Sequence, residues 1–399
     1  MASEEDTWKT LPIDLQERFY YEAEEEARHL LESIEEVERT VEEASRKISD
    51  SFEKLDNSDR VMTVAAVDGS RSVKPGEKLG ARFTVYSVGM VVVRGVEKVE
   101  EPQYGAGRVR TSQPSSREFS QYLLALLQNL EERRMALQAL RREDVDLVII
   151  DGSFYGFTYE VFRMRREGLM TSSLERLLKE TYDATNELIK SRRCVGVVKR
   201  SRTRAIGGFL SYKEQRRHPL ASLSDKFILT RIMPPNTILR YPTLFAGPQS
   251  YRVYSRLAAQ MGDRVSTFDF VKELELARRW VLETFKQAFQ ISDEEAEGVI
   301  RSLNRMYVRI FVEAPPFEME YPADVKMEVI RDFLGNRINF NEATGLPIAL
   351  DMIDELVSIP REFTRDFINE VEARITQKYE GKLEAVRAFF TNLNPQKEF

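Results

Sequence analysis

The chain has 399 residues, 42% hydrophobic and 31% charged, with a net charge of −6. That balance excludes a disordered chain; no apolar run approaches the roughly 18 residues that cross a bilayer, and the opening MASEEDTWKT lacks the basic and apolar regions of a signal peptide, so a cytoplasmic protein is expected. One cysteine, Cys194, and two histidines, His29 and His218, exclude an internal disulfide and any thiolate or imidazole-rich metal site, which leaves oxygen ligands and therefore Mg²⁺ or Mn²⁺.

From about Asp14 to Leu55, apolar residues recur at steps of three and four (Ile34, Val37, Val41, Ala44, Ile48, Phe52, Leu55) between charged ones, which predicts one long amphipathic helix. Positions 22 to 43 hold 10 Glu against 2 Arg. Such a stripe suits a helical hairpin, a dimer seam, a docking surface, or simple packing on its own domain. From Val61 the pattern changes: VMTVAAV, RFTVYSVGMVVVRG and an extended stretch to about Val109 predict meandering antiparallel strands.

A helix is expected from about Ser116 to Arg142, with Leu123, Leu127, Leu130, Leu137 and Leu140 on one face. DLVIIDGS, nearly all apolar, reads as a strand buried on both faces. A helix over about Ser173 to Ser191, the strand CVGVVKRS, a strand within MYVRIFVEA and further helices complete the chain. Meandering strands that then alternate with helices predict an α/β fold, a mixed sheet flanked by helices. The expected divisions are an N-terminal helical segment (1–60), a central domain with insertions (61–360) and a C-terminal helix (361–399).

TVAAVDGS and DLVIIDGS share an ending, an apolar run followed by Asp-Gly-Ser, with Asp68 and Asp151 lying 83 positions apart. Either copy alone reads as a turn, because Asp-Gly tolerates positive φ. Two copies on adjacent strands would bring two carboxylates together, and such a pair calls for a bound cation or a raised pKa. NLEERRMAL offers a third carboxylate, Glu131 or Glu132; Glu131, one turn beyond Leu127, is nearer the apolar face. Positions 190 to 217 hold 10 Lys or Arg against the single acid Glu214. Within them Lys199 sits at a strand end, followed by Arg200, Arg202 and Arg204, and then by Lys213, Arg216 and Arg217, a localised charge that suits phosphates. Phe209 and Tyr212, interleaved with these, suit stacking on unpaired bases. SLSDKFIL adds Asp225 and Lys226.

This order of strand-DGS, acidic helix, strand-DGS, V-x-V-V-K-x-S and S-D-K resembles the NurA nucleases of archaea and some bacteria, over roughly Val61 to Glu355. The resemblance implies a ribonuclease H-like core, a homodimer, and degradation of DNA with Mn²⁺ or Mg²⁺ alongside the hexameric HerA translocase in end resection for recombinational repair. By position it implies that Asp68, Asp151 and Glu131 or Glu132 bind metal. The family's C-terminal motif, approximately Tyr-Pro-x-x-Leu-x-x-Ala-His, falls on GLPIALDMIDEL: Pro347 and Leu350 fit, while Leu346 stands where Tyr is expected and Asp354 where His is expected.

The expected function is a metal-dependent DNA nuclease, a 5′–3′ exonuclease or single-strand endonuclease or both, with Asp68, Glu131, Asp151 and Asp354 as metal ligands, Glu132 as the alternative helix carboxylate, and Lys199 opposing phosphate charge. No G-x-x-x-x-G-K-[ST] occurs, so movement along DNA would have to come from a partner ATPase. An actin-like nucleotide-binding ATPase and a non-catalytic translocase adaptor are the alternatives.

Overall fold

A computed structural model describes residues 11–112, 117–245, 250–261 and 268–394. Helix α1 (Ile13–Ile48) is shorter than the periodicity predicts. Ser49–Ser51 form a single 3₁₀ turn, since Ser and Asp compete with helical hydrogen bonds, and strand β1 (Phe52–Lys54) follows, so Phe52 and Leu55 leave the expected helical stripe. The meander comprises β2 (Thr63–Arg71), β3 (Gly76–Glu77), β4 (Arg82–Arg94), β5 (Glu97–Lys98) and β6 (Gln103–Thr111). Helix α2 (Arg117–Leu140) leads to β7 (Leu147–Asp151), and α3 (Thr158–Arg166) and α4 (Ser172–Ser191) lead to β8 (Cys194–Val198). Helices α5 (Ala205–Glu214) and α6 (Asp225–Ile232) precede β9 (Thr237–Arg240); then come α7 (Tyr241–Phe245), α8 (Tyr251–Met261), α9 (Phe270–Phe289) and α10 (Asp293–Arg301). Strands β10 (Leu303–Arg309) and β11 (Phe317–Pro322) are followed by α11 (Met327–Gly335), α12 (Ile348–Val357), α13 (Phe363–Lys378) and α14 (Leu383–Phe390), so the C-terminal segment carries two helices where one was expected.

The sheet is mixed, in the order β1-β9-β10-β11-β8-β7-β2-β4, with β3, β5 and β6 also paired to β4. Among the described residues only β2 with β7 and β7 with β8 run parallel. One face carries Ala65, Val67 and Ile150 under α2 to α4, α9 and α10, and, nearer β9 and β10, Leu239 and Tyr307 under α5 to α8 and the end of α1. The opposite face carries Ala66, Ile149, Val197 and Met319 under α11 and α12.

Besides β1, strands β9 and β11 were not expected. β9 is four residues long, and β11, FEMEYP, alternates Glu with apolar residues as an edge strand would; yet both Glu318 and Glu320 are fully buried, because β11 lies between β10 and β8. The strand expected within 306–314 ends at Arg309.

Candidate functional site

Val67 pairs with Ile150 across the parallel β2–β7 ladder, so the next residues, Asp68 and Asp151, stand side by side on one face. Asp151 pairs with Val197 on β8, and Lys199, two residues on, shares that face. Helix α12 packs on the same face through Leu350 and Ile353, which carries Asp354 to the strand ends. The Lys199 Nζ lies 3.0 Å from Asp68 Oδ2, 3.7 Å from Asp151 Oδ1 and 3.0 Å from Asp354 Oδ1. Asp68, Asp151, Lys199 and Asp354 therefore form one cluster assembled from four elements.

The two Asp-Gly-Ser copies differ in conformation. At the second, the strand ends at Asp151 and Gly152 turns the chain with φ +83°. At the first, β2 continues through Arg71 against β4, so no turn occurs; there the glycine serves close approach. A Cβ at Gly69 would lie 2.6 Å from Glu132 Oε1 and 2.8 Å from Gln128 Nε2.

Glu132, rather than Glu131, points inward. Leu124, Leu126, Leu130, Ala136 and Ala139 are buried, and Glu132 lies on this stripe, one turn from Gln128 and from Ala136. Leu123, Leu137 and Leu140 only flank it. The expectation for Glu131 followed the flanking leucines, whereas small alanines allow α2 to lie close against the sheet. Glu131 turns to Arg134, 2.5 Å away, at the surface. Glu132 accepts from Gln128 (2.7 Å) and Arg133 (2.8 Å). Gly69→Ala is expected to displace this carboxylate and cost roughly 1–3 kcal/mol, measurable by chemical denaturation together with a loss of any metal-dependent activity.

Charge is unbalanced in this cluster. Three carboxylates face one ammonium, which leaves two negative charges uncompensated when all are ionised. The Asp68 carboxyl is pushed up to about 9, by burial first and by the Asp151 charge second, against the pull of Lys199. Burial likewise raises Asp151 and Glu132. Burial opposes the charged form of Lys199, but Asp151 and Asp68 together hold it ionised well above the usual range. Among the described residues no three His, Cys, Asp or Glu side chains form a ready-made metal cage; the carboxylates are arranged around Lys199 instead. Hard oxygen donors that converge on a cation and carry two spare negative charges fit Mg²⁺ or Mn²⁺, with Lys199 marking the cation position.

A second ring of groups holds the loop after Asp151, and sequence reasoning missed it. Arg133, fully buried, donates to Ser153 O (3.1 Å) and Phe154 O (3.2 Å) as well as to Glu132. Glu320 accepts from Ser153 Oγ (2.7 Å) and Phe154 N (2.8 Å) and pairs with Arg305 (3.0 Å) and Arg252 (3.2 Å). Arg305 also reaches Glu318 at 2.8 Å. The signal for this ring is in the register of β10 and β11, where Arg305 stands opposite Glu320.

The basic segment divides. Arg192 pairs with Asp324, and Arg193 donates to the Val145 carbonyl, at the far end of β8. Arg200 and Arg202 are exposed on the loop after Lys199, with Arg204 half-buried beside them. Lys213, Arg216 and Arg217 lie at the other end of α5: Lys213 sits over the Phe209 ring, Arg216 pairs with Glu214 at 2.9 Å, and Arg217 borders a groove along α1. Phe209 and Tyr212 pack against Tyr254, at centroid distances of 5.4 and 6.2 Å, so the core occupies the rings expected to stack on bases. Asp225 is fully buried and accepts from Ala205 N, Ile206 N and Tyr241 Oη, capping α5, and Lys226 donates to the Lys199 carbonyl at 2.8 Å. Leu346 packs with the apolar residues under α12.

Carboxylates on adjacent parallel strands, a helix glutamate behind them and a lysine from the next strand define an α/β protein with a charged site at its strand ends. The NurA domain matches residues 62–359, and the chain belongs to the NurA family. No curated protein matches it. In three dimensions it is similar to the NurA nuclease from Sulfolobus solfataricus, with a TM-score of 0.54 at 12% identity over 90% of this chain and 99% of that one. It is also similar to a NurA with manganese (TM-score 0.49, 12% identity, 90% and 98% of the two chains) and to a NurA bound to dAMP and manganese (0.45, 14%, 91% and 98%).

Proposed function

We propose that this chain is a divalent-metal-dependent deoxyribonuclease with a ribonuclease H-like core. The convergence of Asp68, Asp151 and Asp354 on one cation position, beside a loop of exposed arginines, carries this reading. The antiparallel order β2, β4, β6 followed by parallel β7 and β8 supports the core. Asp68, Asp151 and Asp354 would hold Mn²⁺ or Mg²⁺, with Glu132 behind Gly69. When bound there, the cation would supply Lewis acidity. Lys199, released from the carboxylates, reaches a phosphate oxygen and opposes the charge that develops at phosphorus. Arg200 and Arg202 hold neighbouring phosphates. Incubation of the protein with labelled single-stranded and duplex DNA and Mn²⁺ tests the reading: an Asp68→Ala, Asp151→Ala double variant that cuts as much as wild type would overturn it. The polarity of the products decides between 5′–3′ exonuclease and endonuclease action.

The proposed setting is cytoplasmic DNA end resection with a hexameric HerA-type translocase, which would supply the motion that this chain has no P-loop to drive. No helix among the described residues is long and apolar enough to cross a membrane. The protein is proposed to work as a homodimer. Among the described residues the C-terminal half of α1 packs on the domain through Val41, Ala44 and Ile48, whereas Tyr21, Leu30, Leu31 and Ile34 stand exposed. A second copy would cover them. A Leu31→Glu, Ile34→Glu variant is expected to sediment as a monomer with an unchanged melting temperature; dimers that persist would place the interface elsewhere.

A further inference from the structure

A cavity of about 660 Å³ opens between the loop after Asp151 and the loop after Lys199. Ser153, two residues beyond Asp151, and Arg202 and Arg204 line it. Tyr159, exposed at the surface, Arg256 and Trp280 also line it, as does Arg305, the partner of the buried Glu320. Five arginines line it, and Glu320 takes up two of them, Arg252 and Arg305. Among the described residues no carboxylate lies within salt-bridge distance of Arg202, Arg204 or Arg256. The Arg256 guanidinium sits 4.1 Å from the Trp280 ring centroid, and its Nε is buried with no hydrogen-bond partner.

Uncompensated guanidinium groups beside aromatic faces match a ligand that combines a flat ring with a phosphate. The volume suits one small ligand and is too small for a base pair with its two backbones. We infer that this cavity houses a single unpaired nucleotide next to the scissile phosphate, its base against the Trp280 and Tyr159 rings and its phosphate on Arg202, Arg204 and Arg256. The inference rests on the nuclease reading and deepens it: a strand must be unpaired near the cut to be held correctly.

The sequence has only two tryptophans, Trp8 and Trp280, so Trp8→Phe isolates the cavity as a fluorescent probe. In EDTA, where no cleavage occurs, oligothymidylate is titrated while its binding is followed separately by anisotropy. The expected result is quenching of Trp280 emission that saturates with binding, no quenching by an abasic strand of equal length, and roughly tenfold weaker oligothymidylate binding in a Tyr159→Ala, Trp280→Leu variant. Arg202→Ala with Arg204→Ala is expected to lower the salt dependence of binding. Oligothymidylate that binds without changing Trp280 emission would overturn the cavity assignment and leave the nuclease reading standing. A protein that neither binds nor cuts DNA would overturn both.

Discussion

Asp68→Asn is expected to lower metal-dependent DNA cleavage by on the order of 10³-fold or more, about 4 kcal/mol at the transition state, and to leave the melting temperature unchanged or raised. Asp68 is 1% exposed, beside Asp151 and with Glu132 behind Gly69. A buried carboxylate is costly unless fully compensated, and Lys199 is shared with two other carboxylates. Asparagine keeps the volume and an acceptor for Gly69 N, which donates to Asp68 Oδ1 at 2.7 Å; what it removes is the capacity to ionise when a cation binds. Calorimetry and a cleavage assay on the same preparation separate the two effects. Wild-type cleavage would remove Asp68 from the chemistry, and a large fall in melting temperature would show that the carboxyl itself stabilises the fold.

Arg305→Met is expected to destabilise the protein by roughly 3–5 kcal/mol, the usual consequence of stripping one partner from a buried ion pair. Glu318 and Glu320 are both fully buried, and Arg305 serves both. Urea unfolding measures the loss, and adding Glu318→Gln and Glu320→Gln to Arg305→Met is expected to restore most of it, since neutral amides tolerate burial better than orphaned charges. The acid side provides an independent check. Burial alone would raise the Glu320 carboxyl, but Arg305 and Arg252 override it and hold the group down to about 2 against an ordinary value of 4.5. A depressed carboxyl stabilises the fold above its unfolded value, and that contribution is lost as pH falls through the folded one. Wild type should therefore lose this stabilisation between about pH 4.5 and pH 2, and Glu320→Gln should show a shallower decline across that window.

Apolar runs made β2, β7 and β8 legible in the sequence, and with them the placement of Asp68, Asp151 and Lys199, because a parallel ladder between short buried strands leaves little freedom of register. Asp354 was reached only through family resemblance; nothing local in IALDMIDEL says which way that helix faces. The choice between Glu131 and Glu132 went to the wrong residue because leucines dominated the periodicity while alanines made the contact. β11 was missed for a related reason. Its alternation of Glu and apolar residues has the pattern of a half-exposed strand, and only the pairing with Arg305, fixed by tertiary structure, makes both faces buried. The basic run read as one patch because sequence distance hides that β8 carries Arg192 and Arg193 to one end of the strands and Lys199 and the arginines after it to the other.

Glu320 acts on Ser153 and Phe154 from more than 160 positions later in the chain, and Asp354 comes later still. A ribosome that has made the first 316 residues has already produced Asp68, Glu132, Asp151 and Lys199, but neither the strand that clamps the 152–157 loop nor the last acidic group. The order of synthesis therefore delays assembly of the site until the final fifth of the polypeptide emerges. Chains that end before β11 would lack both the clamp and Asp354, and on the proposed nuclease reading would be inactive.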